Sequence, residues 1–226
     1  MSKIKSFEKW TEEEIRNTFG LKKVQTMSLL DDWLAAKHTP DTSEQATIEY
    51  LRLRLSEMNL SWNEDELKFF FISPFVSLVR CWGDGYNTYS QRTMQATVNG
   101  IDMRGRVEVI VASGEHSPRH PYFFIHEYKP SVKGSHEPVG QLLAAMITAQ
   151  ELNKTDEHLL GCYVIGKDWQ FVVLNGNKYA ISNGYLATAP EQLLKIYSAL
   201  IEVKLYVEKQ VQSEKKDTAL MVNNKP

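Results

Sequence analysis

A chain of 226 residues, 42% hydrophobic, can bury the core of one domain with additions, or of two domains at most. Its formal net charge of −2 argues against a protein that coats nucleic acid without selectivity, though it leaves room for a local basic groove. No apolar run approaches the roughly 18 residues of a membrane span, and Met1-Ser2-Lys3 does not lead into a signal-peptide run, so a soluble, cytoplasmic protein with no membrane partner is expected.

The first sixty residues have helical spacing. "WTEEEIRNTF" places Thr11 as a cap with Glu14 at the capping-box position, and "SLLDDWLAA" and "SEQATIEYLRLRLSEM" follow, the second set off by "TPDTS". In "NEDELKFFFISPFVSLVRCW", Asn63 caps a helix whose apolar face carries Leu67, Phe71, Phe75 and Leu78, with Pro74 inside it. From about residue 92 the period turns strand-like. "RTMQATVN", "RVEVIVAS" and "PYFFIHEYK" are three strands joined by "GIDMRG" and "GEHSPRH". A helix follows, "PVGQLLAAMITAQELN", with Pro138 in its first turn, and then a strand, "LLGCYVIG". "WQFVVLN" and "KYAIS" form a hairpin through Asn175-Gly176-Asn177, and "APEQLLKIYSALIEVKLYVEK" is a long closing helix. The segment from Ser213 is polar enough to predict disorder. The expectation is α/β with a mixed sheet: a helical extension over 1–62, a main domain over 63–212 ending in a hairpin plus helix, and a tail over 213–226.

Two residues apart on a strand, Glu127 and Lys129 project to the same face, and near a strand end they would meet at the sheet margin. A carboxylate and a lysine there can hold a divalent cation and activate a water beside it. A second carboxylate is needed, and the preceding strand offers Glu108. Glu-x-Lys by itself is cheap: it also occurs at Glu66/Lys68, Glu202/Lys204 and Glu214/Lys216, in helices or the tail, where such pairs are simply solvated. Context distinguishes the Glu127 pair, which has an apolar strand, an acid in the strand before it and a helix after it.

Helix, strand, strand with an acid, strand with Glu-x-Lys, helix with Gln, strand is the core order of the PD-(D/E)xK nuclease superfamily, which includes the restriction endonucleases. "FFIHEYKPS…EPVGQLLAAMITAQELN…GCYVIGKDWQFVVL" resembles uncharacterised bacterial members of that superfamily. "NEDELKFFFISPF" is similar to the Glu-x-x-x-Arg/Lys…Ile-x-Pro helix that opens the nuclease domains of type I restriction motor subunits. The likeness spans about residues 63 to 175. It implies a restriction-endonuclease-like α-β-β-β-α-β core and a metal-dependent nuclease that hydrolyses phosphodiester bonds of nucleic acid, DNA in the first place, in restriction, repair or phage defence. Carried over, Glu64 is the acid of the first core helix, Glu108 takes the place of the usual first-strand aspartate, Glu127 and Lys129 are the Glu-x-Lys pair, and Gln141 is the glutamine bordering the site. Mg²⁺ or Mn²⁺ would be held by Glu108, Glu127 and the carbonyl of Tyr128.

The cations Arg104, Arg106, Arg119 and Lys133 around this stretch would hold the phosphate backbone. The alternative is an inactive nuclease-fold module that binds nucleic acid or a protein partner, as a subunit of a defence or mobile-element complex; cutting both strands would call for a homodimer. Other signals are weaker. His116, His120 and His126 suggest zinc only superficially, because two lie in a loop and the third points away from Glu127. Trp62, Trp82 and Trp169 flank apolar elements and are expected in the core, as are Cys81 and Cys162.

Overall fold

The computed structural model describes residues 4–58, 61–129, 138–155 and 157–223; of these, the side chains of 121, 125, 126, 129, 214 and 216–223 fall outside the description. The fold is α/β, a mixed sheet with helices against both faces. Its strands are β1 (Lys5–Ser6), β2 (Lys22–Lys23), β3 (Tyr86–Val98), β4 (Ile101–Ser113), β5 (Arg119–Lys129), β6 (Leu159–Ile165), β7 (Asp168–Asn175), β8 (Lys178–Ile181) and β9 (Tyr185–Leu186). The path runs β1-β4-β5-β6-β7-β8-β2, with β3 against β4 and β9 against β7. Strands β5 and β6 are parallel, joined by helix α6 (Pro138–Asn153), while β3–β4, β4–β5, β6–β7 and β7–β8 are antiparallel.

Strands β3 and β4 are longer than their sequence predicts, because "GIDMRG" is not a connection. The turn is Asn99-Gly100, with φ of 49° and 80°, the two positive values that a tight two-residue hairpin requires. Gly105, which reads as a breaker, lies within β4 and permits a close approach: a Cβ there would stand 2.2 Å from the Phe7 ring.

Alternate strand residues feed two cores. On one face Leu160, Cys162, Val164, Trp169, Phe171 and Val173 meet helices α2 (Ser28–Ala35), α3 (Thr42–Met58) and α7 (Pro190–Asn223). On the other, Leu159, Tyr163, Val172 and Leu174 meet α6 and α1 (Glu12–Phe19), whose capping box is formed by Thr11 and Glu14 as expected. The N-terminal segment is stitched into the sheet as well, since β1 pairs with β4 and β2 with β8.

The helix expected after Asn63 is broken into α4 (Glu64–Leu67), a π-helical stretch (Lys68–Ile72) and α5 (Ser73–Leu78). Pro74 has no N–H to give and crowds the preceding turn, and widening that turn relieves it. Leu67, Phe71 and Phe75 are buried as predicted, whereas Leu78 is only half-buried and Val79 fills the core beside it. Trp169 is buried, but Trp82, also expected in the core, is 51% exposed: it stands in the turn after α5, where Arg80 has a φ of 52°. Helix α7 runs on through the segment from Ser213 where composition predicts disorder. Extending an existing helix needs no new nucleus, and Lys215 Nζ reaches the Asp84 carboxylate at 2.5 Å. Among the described residues no helix is long and apolar enough to cross a membrane.

Candidate functional site

One edge of β4 is occupied along its length by β3, so β1 and β5 share the other edge. Strand β1 takes it at Met103–Arg104 and β5 from Val109 onward. The last β4–β5 pair is Val109↔His126. One further step of that antiparallel register would set Glu108 level with Glu127, and there the strands part. Strand β5 continues alone against β6, through Glu127↔Tyr163, Tyr128↔Val164 and Lys129↔Ile165. The acid and the Glu-x-Lys segment thus flank the point where two neighbouring strands separate.

Glu127 is fully buried, and Gln141 Nε2 donates to its Oε2 at 2.8 Å. A buried carboxylate needs such a donor, because stripping it of water costs several kcal/mol, on the order of the penalty for an isolated ion in a protein interior. Helix α6 brings the donor. Nearly all its residues from Pro138 to Ala149 are buried, and at Gly140 the backbone of Trp10 and Thr11 comes so close that a Cβ would stand 2.2 Å from the Trp10 carbonyl oxygen. That glycine seats the first turn of α6, and Gln141 with it, beneath β5.

Glu108 has different partners. It is 9% exposed and receives Lys68 Nζ at 3.1 Å, Gln91 Nε2 and the Tyr128 hydroxyl. The Lys68 ammonium also stands 3.9 Å from Glu64, 3.7 Å from Asp65 and 4.7 Å from the centre of the Tyr128 ring. Glu66, two residues past Glu64, is taken up by the cap: its side chain accepts from Asn63 N at 2.8 Å. Gln91 has a φ of 55°, and Arg106 donates to its Oε1 at 3.4 Å.

Tyr128 links the two halves. Its ring belongs to the core that holds Phe71 and Phe75 on the α4–α5 side, so Glu127, its neighbour along the strand, turns to the α6 side. Burial pushes the Tyr128 hydroxyl far above the usual tyrosine range, and its bond to Glu108 and the charges of Glu108, Glu64 and Glu127 push it the same way. Carboxylates from a helix and two strands therefore all act on one hydroxyl.

Of the residues singled out in the sequence, Glu64, Glu108 and the Tyr128 hydroxyl meet on the α4–α5 side and Glu127 and Gln141 on the α6 side, with Tyr128 between them. The backbone of Lys129 follows Tyr128 on β5, while its side chain, and Lys133 entirely, lie outside the described residues. Arg106 borders the site through Gln91, and Arg104 is exposed two residues further along β4. Arg119 does not belong: it begins β5, eight residues from Glu127, or roughly 26 Å along an extended strand. His116 and His120 are exposed at that far end, and the His126 side chain is outside the description. Lys68 and Gln91 are partners of Glu108 that sequence reasoning missed. The Glu-x-x-x-Lys spacing was a usable signal for Lys68; a polar strand residue such as Gln91 carried none.

Two carboxylates and a main-chain carbonyl are the hard oxygen donors that Mg²⁺ prefers. The donor chemistry fits, while the cation resting on Glu108 is Lys68. Among the described residues no group of three or more His, Cys, Asp or Glu side chains is arranged to hold a metal. Burial pushes the Cys81 thiol up to about 12 and that of Cys162 well above its usual range, so both stay protonated as core residues. No protein-family model matches the chain, and no curated protein matches it significantly.

Proposed function

We propose that the chain is a metal-dependent phosphodiesterase with a restriction-endonuclease-like core, acting on nucleic acid and on DNA in the first place. One observation carries the reading: Glu108 and Glu127 flank the parting of β4 and β5, with Gln141 reaching Glu127 and Lys68, itself 3.9 Å from Glu64, reaching Glu108 from helices on the two faces of the sheet. The element order from α4 through β6 supports it, being helix, three strands, helix, strand.

Charge supports it further. Glu108 and Glu127 are buried, and a buried carboxylate needs a cation or hydrogen-bond donors beside it. A bound Mg²⁺ or Mn²⁺ would supply Lewis-acid charge neutralisation and make a water more acidic. Glu108, Glu127 and the Tyr128 carbonyl would hold it. Gln141 fixes the rotation of the Glu127 carboxylate, and Gln91 does the same for Glu108. Lys129 would orient the attacking water or the scissile phosphate, and Arg106 would meet the backbone beside it.

A second reading, the same fold gripping nucleic acid without cutting it, is favoured by the Lys68–Glu108 contact, which leaves Glu108 already neutralised. Cleavage separates the two. Mixed DNA and RNA substrates with Mg²⁺ or Mn²⁺ should be cut by the wild type, and Glu127→Ala and Lys129→Ala should each reduce the rate by roughly 10²-fold or more, with melting curves as the folding control. Equal cleavage by all three proteins would assign the activity elsewhere. A wild type that binds nucleic acid and cuts nothing would establish the second reading.

A further inference from the structure

The sheet face that carries Glu108 is covered by helices over Val111 and Phe124, and it is bare along the outer half of the β3–β4 hairpin. The antiparallel register sets Thr93 level with Arg106, Gln95 with Arg104 and Thr97 with Asp102, and the two side chains of each such pair point the same way. All but Asp102 are exposed. The hairpin's other face is core, with Met94, Val98, Met103 and Val107 buried, so the hairpin is held firmly from behind. Lysine and glutamate serve a strand face that only has to be wet, and these three pairs contain neither. They present guanidinium, carboxamide and hydroxyl groups instead. The one acid among them, Asp102, accepts from Thr97 Oγ1 at 2.6 Å, and the two arginines leave the stretch positive. It is also continuous with the candidate site: Arg106 donates to Gln91 Oε1 at 3.4 Å, and Gln91 in turn donates to Glu108.

We infer that this face of the hairpin is a recognition surface for duplex DNA, on which Gln95 and Arg104, paired across the strands, take base edges in the major groove while Arg106, nearer the site, takes a phosphate. For its purpose this rests on the phosphodiesterase reading, and it narrows the substrate to a duplex bound by sequence. The residue types suit the task. Arginine offers two parallel N–H groups to guanine O6 and N7, and glutamine offers a donor and an acceptor to adenine N7 and N6. The width suits it as well. Even with β1 alongside, where Ser6 lies level with Arg104, three strands cover two spacings of about 4.8 Å, which a major groove roughly 12 Å wide admits. The reach matches a site that cuts beside what it reads: Arg104 precedes Glu108 by four residues, roughly 13 Å along a strand, or on the order of four base pairs. A duplex of RNA does not fit, because its major groove is too deep and narrow for strands to enter.

The test is selection of bound duplexes from a random-sequence DNA pool by the full chain, without divalent ions so that nothing is cut, followed by titration of the selected sequence. The wild type should select a guanine and an adenine close together. Arg104→Lys keeps the charge and loses the fork, so it should bind random DNA as the wild type does and lose the guanine preference, by roughly tenfold. Gln95→Ala should relax the adenine by a similar factor. Arg106→Ala should instead weaken all sequences alike and lower the salt dependence of binding by about one phosphate contact. All three side chains are exposed, so melting curves should not move. No binding to duplex DNA, a wild type without base preference, a preference that Arg104→Lys and Gln95→Ala leave intact, or equal binding of an RNA duplex each overturns the inference. Selection does not depend on cleavage: a preference that shifts in the variants of a protein that cuts nothing with Mg²⁺ or Mn²⁺ would sink the phosphodiesterase reading and leave the recognition surface. Cutting of duplexes with no base preference would do the reverse.

Discussion

Strands β6 and β7 run through seven consecutive pairs with no shift of register, and most of the side chains they carry are buried. Strands β4 and β5 hold five pairs, shift twice at one end, and part at the other. The first pair is apolar on both faces, and the second ends in carboxylates. In an unbroken ladder the backbone N–H groups are used up between strands, so an acid buried on its face must find a donor elsewhere. Where the strands separate, helices can reach the acid from either side, as Gln141 and Lys68 do. The unbroken pair makes the frame rigid, and the parted pair makes room for charge.

The sharpest way to break this contrast is to damage the frame. Phe171 is fully buried in β7, edge-on to Trp33 at 5.1 Å and to Tyr185 at 5.9 Å. Phe171→Ala should cost about 3–5 kcal/mol by urea denaturation, the usual range for emptying an aromatic core position. A loss under about 1 kcal/mol would mean that this strand pair is not the rigid part.

A smaller effect is expected where charge is held. Gln141→Ala withdraws the Nε2 donor from a buried carboxylate and should cost about 2 kcal/mol, the scale of a hydrogen bond to a charged group. Glu127→Gln removes the charge and keeps an acceptor, so alone it should be neutral or mildly stabilising, and combined with Gln141→Ala it should recover most of the loss. Strictly additive losses in that double-mutant cycle would show that the two side chains do not depend on each other.

The same division explains what was legible in the sequence. The capping box at Thr11, the cap at Asn63, the strand carrying Glu127 and the helix carrying Gln141 all follow from short-range rules, and those rules hold where the chain is locally consistent. The two-residue strands β1 and β2 exist only because β4 and β8 offer edges, so Lys22-Lys23 carries no mark of its role. Gly105 reads as a breaker because the ring packed on it, Phe7, lies about a hundred residues away in the chain. At the site, the positions of Glu108 and Glu127 were legible and their partners were not: a glutamine with a φ of 55° and a lysine entering a π-helical turn are consequences of tertiary packing.

The smallest effect concerns Tyr128, which both halves of the site share. Its hydroxyl is raised by burial first, then by its bond to Glu108 and by the charges of Glu108, Glu64 and Glu127. A folded-state value above the unfolded one, about 10 for tyrosine, means the native protein keeps a proton that the unfolded chain gives up. The stabilisation is therefore fully present below pH 10 and is lost as the pH rises beyond it. Tyr128→Phe removes that proton from the balance. At pH 7 the variant should lose only about 1 kcal/mol, one hydrogen bond, because Lys68 and Gln91 still hold Glu108. Above pH 10 its stability should fall less steeply than that of the wild type, by up to about 1.4 kcal/mol per pH unit, one proton's worth. Tyr86, Tyr163, Tyr179 and Tyr206 are also raised, chiefly by burial, so both proteins should weaken in alkali and the difference in slope is the measurement. Parallel curves from pH 9 to 11 would mean that Tyr128 ionises as easily in the folded protein as in the unfolded chain, and that the carboxylates do not converge on it.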